Sequence, residues 1–170
     1  VRDSTATIYL HNNMLDYNHS YYVTIDEGVL TLPDHSFHGI SKEHNWSFKT
    51  KDSAPTSKDT LIVDATGQGD FNTVQGALDF IPDFSQKQTV ILIQAGDYEE
   101  LVYARNKTNV KIKGAGMERT RVHYANNEVF NPHPLTVKTN EWPGTFPSRR
   151  AAFMLDNCSD IQLEDLTIAT

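Results

Sequence analysis

Cysteine occurs once in 170 residues, at Cys158, which excludes an internal disulfide framework and any zinc site built on several thiolates. Long apolar runs are missing: none approaches the roughly 20 residues a membrane-crossing helix needs. The longest, Thr89-Val90-Ile91-Leu92-Ile93, has the length of a strand, and no membrane partner is expected. Clustered positive charge is missing too. The 15 Lys and Arg are dispersed among 22 Asp and Glu, for a net charge of -7. A phosphate backbone requires a concentrated basic surface, so no nucleic-acid partner is expected either. Val1 stands where an initiator Met would, and we expect an excised or mature portion of a longer protein, for which the lack of a leader is uninformative. What is present suits a soluble globular chain: 38% hydrophobic residues and a mean hydropathy of -0.49. Its length allows one ordinary domain, or a small domain with part of another.

Residues 51–59 are polar, contain one Pro and hold no large apolar side chain, so they read as a linker between segments 1–50 and 60–170. In the first segment, Ala6–Leu10, Tyr21–Ile25 and Trp46–Thr50 alternate apolar and polar groups, as half-buried strands do. Three or four strands are too few to close a β-sandwich. Their order resembles the second half of a bacterial Ig-like domain, which implies a partial Ig-like sandwich here.

The second segment opens with a strand at Leu61-Ile62-Val63 and a glycine-bearing turn. Phe71, Val74, Ala77, Leu78 and Ile81 then form one helical stripe over 71–81, with capping-box spacing at Asn72 and Gln75 and Pro82 as the stop. Strand-like pieces follow at 90–94, 101–104, 110–113, 121–124, 151–155, 161–163 and 166–169. Short strands without intervening helices predict a solenoid, and specifically an all-β, right-handed parallel β-helix plugged by the helix. A β-sandwich is the alternative that pattern leaves open.

The residues that carry a resemblance are structural ones. Val63–Pro82, with Gly67, Gly69, Phe71, Thr73, Ala77 and Leu78, is similar to the opening of pectin methylesterases. Ile91-Leu92-Ile93-Gln94-Ala95-Gly96-Asp97-Tyr98-Glu99-Glu100, then Val110–Gly116, then Thr120-Arg121-Val122 resemble the next blocks of that family in order. The glycines at 67 and 69 read as turn residues, and Gly96, Gly114 and Gly116 as coil corners.

The resemblance implies a secreted carboxylic ester hydrolase that removes methyl groups from galacturonate units of pectin, with no metal or organic cofactor. It also implies chemistry by two Asp, a Gln and a nearby Arg. The Gln-Asp-Thr signature of that set does not occur in these 170 residues, so no residue inherits a catalytic role and the chain by itself is expected to be inactive. Two other readings stay open, a β-helical pectate lyase and a non-catalytic carbohydrate-binding or adhesion module.

For substrate binding the candidates lie in the proline-bearing loop 131–150: Arg150, then Arg149 and Trp142. A guanidinium fork suits a galacturonate carboxylate and an indole suits a sugar ring. His35, His38 and His44 lack ligand spacing for a metal, and Asp156, Asp160, Glu164 and Asp165 read as solvated corner residues. Cys158 reads as a buried structural thiol. Asn18, Asn45, Asn106 and Asn157 open N-x-Ser/Thr sequons. Self-association through the incomplete ends is the remaining partner expectation.

Overall fold

The computed structural model describes residues 15–30, 37–44, 46–57, 59–125 and 151–170. The chain divides into two compact units, Val1–Ala54 and Pro55–Thr170. In the first, β1 (Ser20–Tyr22) pairs antiparallel with β2 (Ser47–Lys49), placing Tyr21 opposite Phe48. Their rings stack at 5.6 Å. The run expected over Tyr21–Ile25 is shorter than its alternation suggests. Its far end joins the unit through a single bridge from Ile25 to Ile40. Among the described residues this unit holds one ladder and that bridge. The expected strand Ala6–Leu10 lies outside the described residues.

The second unit repeats one motif. After β3 (Thr60–Val63) and the helix α1 (Val74–Phe80), the chain makes β4 (Thr89–Ile93), β5 (Gly96–Glu99) and β6 (Val102–Arg105). It then runs through β7 (Thr108–Gly114), β8 (Thr120–His123), β9 (Phe153–Asp156), β10 (Ser159–Glu164) and β11 (Thr167–Ala169). All pairings are parallel and link equivalent strands of successive turns: sheet I is β3-β4-β7-β10, sheet II is β5-β8-β11 and sheet III is β6-β9. Three parallel sheets wrapped around one apolar interior make a parallel β-helix, so the all-β solenoid expected from the strand rhythm is the fold observed.

Period-2 alternation selects what enters the interior. In β4 the side chains of Ile91 and Ile93 are buried, and in β7 those of Val110 and Ile112. The register places Leu61, Ile91, Ile112 and Leu163 in one column through sheet I. Tyr98 and Val122 begin the matching column of sheet II. Gly114 is required where it stands, because a Cβ there would lie 2.3 Å from the Asp165 carbonyl of the next turn. Gly96 opens strand β5 and is no corner; the strand is not evident in the sequence because Tyr98 is its one large apolar residue.

Corners are set by asparagine. Asn106 and Asn157 both adopt left-handed backbone, with φ of 57° and 51°. They stack one above the other, and the Asn157 Nδ2 donates to Asn106 Oδ1 at 2.6 Å. These two sequon positions therefore do corner work in the coil.

Helix α1 is shorter than its apolar stripe. Phe71 instead lines the outer edge of β3, donating to the Ile62 carbonyl at 3.0 Å and accepting from the Asp64 amide at 2.9 Å. Thr73, not Asn72, is the N-cap, its side chain accepting from the Gly76 amide at 3.1 Å. The face made of Val74, Ala77 and Leu78, with Ile81 after it, is fully buried in the core.

Side chains of the first full turn fasten both ends of the helix. Glu100 accepts from the Val74 and Gln75 amides at 2.8 and 2.9 Å, while Lys107 donates to the Ile81 carbonyl at 2.7 Å. Both charges have the sign the helix dipole favours at that end. Gln75 adds a third attachment: its amide accepts from the Tyr103 N–H at 2.6 Å and donates to the Tyr103 carbonyl at 3.1 Å, occupying the edge of β6 as a strand would.

Candidate functional site

Sheet III is where the outward side chains converge. Val102 and Ala104 of β6 point into the core, so Tyr103 and Arg105 point away from it. Parallel pairing sets Tyr103 beside Met154 and Arg105 beside Asp156 of β9. The Tyr103 hydroxyl donates to Asp156 Oδ2 at 2.7 Å, and Arg105 Nε meets the same oxygen at 3.2 Å. Asp156 is thus a half-buried strand residue with two partners, not the solvated corner residue expected. Sequence alternation places Tyr103 and Arg105 outward, but their pairing with a residue in β9 depends on the coil register, which no local pattern encodes.

Electrostatics beneath this face come from the helix attachment. Burial pushes the Glu100 carboxyl above its usual range, the Gln75 and Val74 amides pull it partly back, and the Asp79 charge adds to the rise. Asp79 is raised as well, mainly by burial, with Gln75 and Lys107 opposing. Asp83 is held low by its hydrogen bond to Lys107 at 2.7 Å. Asp83 is also lowered by the charge of Arg105, the guanidinium that meets Asp156.

Sheet II presents a smaller arrangement, with His123 Nε2 2.9 Å from Asp97 Oδ2 and Arg121 3.8 Å from the same carboxyl group. On the outside of sheet I, Glu164 pairs with Lys111 at 2.8 Å, and Asp165 with Lys113 at 3.5 Å. Asp160 is the second residue of β10, with left-handed backbone at φ of 53°, and not a corner residue. Cys158 is partly buried against the core, its thiol donating to the Ala104 carbonyl at 3.3 Å. His38 meets Glu27 at 3.3 Å and His44 meets Ser41, while His35 lies outside the described residues. Among the described residues no group of three or more His, Cys, Asp or Glu is placed to hold a metal ion. The substrate-binding candidates Trp142, Arg149 and Arg150 also lie outside them; Ala151 and Ala152 lead directly into β9.

The pectinesterase family profile matches residues 60–159, more than half of the chain. The chain belongs to the pectinesterase family. Similar proteins include the pectinesterase/pectinesterase inhibitor of Ficus pumila var. awkeotsang, 37% identical over 70 residues, covering 41% of this chain and 13% of that one. Probable pectinesterase 8 of Arabidopsis thaliana is 38% identical over 76 residues, covering 42% of this chain and 19% of its own length. Probable pectinesterase 67 of the same plant is 30% identical over 97 residues, covering 53% and 28%. Among solved structures, pectin methylesterase from carrot aligns with 69% of this chain and 44% of its own, at a TM-score of 0.42 and 18% identity. This pectinesterase-family chain spans less than a third of the length of the curated relatives it matches.

The matched span starts at β3 and ends at the first residue of β10, so it coincides with the plug and the stacked turns. The glycines and capping groups of the family blocks are therefore scaffold residues of a pectinesterase coil.

Proposed function

We propose that this chain is part of a secreted pectin methylesterase that hydrolyses the methyl esters of galacturonate units. The match to the pectinesterase family over residues 60–159 carries this reading. The parallel β-helix supports it, since stacked parallel turns offer a polymer a continuous surface. The aspartyl-esterase chemistry expected of the family needs a Gln-Asp-Thr signature, which these 170 residues do not contain. We place the catalytic Gln, the two Asp and the Arg in residues following Thr170. Tyr21–Ile25 and Trp46–Thr50 support reading residues 1–50 as the closing strands of an Ig-like domain. Leu155, Leu163 and Ile168, apolar and exposed on the last turn, support self-association of the isolated chain.

The test is methanol release from esterified pectin. The 170-residue chain should release none above a boiled control, whereas a longer protein carrying the signature should release it steadily. Release by the 170-residue chain itself would move the catalytic groups into this sequence. A calcium-dependent unsaturated product from the longer protein, with no methanol, would replace the esterase by a lyase.

A further inference from the structure

Phe84, in the turn that leads from the helix to β4, carries a backbone unsuited to its side chain. Its φ of 52° is left-handed, a conformation that Asn106 and Asn157 adopt cheaply and a bulky residue does not. The ring is 52% exposed, so burial offsets little of that strain. Nor is the turn loose. The Phe84 N–H donates to the Asn106 carbonyl at 2.8 Å, and the Gln86 amide donates to the Phe84 carbonyl at 3.2 Å. On either side, Lys107 Nζ donates to Asp83 Oδ1 at 2.7 Å and Asn109 Nδ2 to the Ser85 carbonyl at 2.9 Å. These bonds hold an aromatic residue out in solvent beside Asn106, at the corner between sheets III and I. Strain that the surroundings maintain points to a use for the strained residue.

What such a ring can take follows from its company. Along the chain it stands among Asp83, Ser85, Gln86, Lys87 and Gln88, all polar. A protein interface needs a contiguous apolar core, which one ring among polar groups does not supply. A single pyranose needs less: an aromatic face for its C–H bonds and polar groups nearby for its hydroxyls. A galacto-configured ring turns several C–H bonds to one face and so presents the apolar side that stacking requires.

We propose that Phe84 is a sugar-stacking site, taking one galacturonosyl ring of a polymer against its aromatic face. The inference rests on the pectin reading above and adds a contact apart from Tyr103, Arg105 and Asp156. Stacking uses the C–H face and leaves the carboxyl alone, so the site draws no distinction between esterified and free units.

Isothermal titration of the 170-residue chain with galacturonate oligomers, methyl-esterified and free, tests this alongside thermal unfolding. Phe84→Asn should weaken binding of both oligomers about fivefold, the value of one aromatic contact. Its unfolding midpoint should rise, because Asn accepts the left-handed backbone that Phe resists. Phe84→Tyr keeps the ring and should bind within about twofold of the unaltered chain. Unchanged binding by Phe84→Asn overturns the proposal, as does no binding of either oligomer by the unaltered chain. A lowered midpoint in Phe84→Asn overturns it too, because the ring would then be packing on the coil. If Phe84→Asn reduces self-association in sedimentation and leaves oligomer binding intact, the ring is a protein contact and the proposal falls. None of these results touches methanol release by the longer protein, whose failure would instead sink the esterase reading.

Discussion

A left-handed residue at a coil corner is a local cost repaid by the turn stacked on it. Outside glycine, that backbone costs roughly 1–2 kcal/mol, least for Asn, whose short amide bonds locally. Asn157 offsets it by donating to Asn106, and Ser159 extends the same column by donating to Thr108 at 3.2 Å. Asn157→Gly should therefore lower unfolding free energy by about 1 kcal/mol, the value of one hydrogen bond. Asn157→Val loses that bond and adds the steric strain of a β-branched residue at φ 51°, for a total of about 2–3 kcal/mol. Urea denaturation of the three proteins ranks them. Equal losses for Gly and Val would mean that the corner backbone relaxes on substitution. A strain-free corner at residue 157 would follow from that result.

The helix acts on the coil as an element, through Glu100, Gln75 and Lys107. Glu100 is only 7% exposed, and its carboxyl is raised chiefly by burial. A carboxyl whose folded value lies above its unfolded value keeps a proton that the unfolded chain has lost, so stability falls as pH rises between the two. Below both values the contribution is fully present. In Glu100→Gln this part of the pH dependence should vanish, while one helix amide loses its acceptor at a cost of about 1–3 kcal/mol. Denaturation midpoints from pH 4 to 7 should thus follow a flatter line in the variant, offset downward. A parallel line would assign the slope to Asp79, which is also raised by burial and belongs to the same helix. The apolar stripe made this helix legible in the sequence, and its burial follows from Val74, Ala77, Leu78 and Ile81. Its start was not legible, because Phe71 has a better use along the edge of β3. Nor was its anchoring: Glu100 and Lys107 are 26 residues from their helix partners, and only the closing of a turn brings them there.

Across the whole molecule, the coil period explains both what could be read and what could not. Short β-branched strands announced a solenoid, but the equivalent corners Asn106 and Asn157 are 51 residues apart, since residues 126–150 fall between β8 and β9 in the sequence. A repeat of unequal length hides its register, and with it the meeting of Tyr103, Arg105 and Asp156. The same stacking predicts a gradient of stability along the coil axis. Ala104, Ile112 and Val122 are 1%, 0% and 0% exposed, whereas their register partners one turn later, Leu155, Leu163 and Ile168, are 43%, 40% and 40% exposed. Removing buried methylenes costs the lost transfer energy and a cavity term together, whereas a half-exposed side chain collapses into solvent with little cavity. Ile112→Ala should lower unfolding free energy by about 3–5 kcal/mol, and Leu163→Ala by about 1 kcal/mol, although the two side chains occupy one column. Amide hydrogen exchange would check the gradient independently, with β4 and β7 protected longest and β10 and β11 opening first. If Leu163→Ala proves as costly as Ile112→Ala in the 170-residue chain, the last turn is covered in solution by something that packs on Leu163. Sedimentation of the unaltered chain would then have to reveal a second copy.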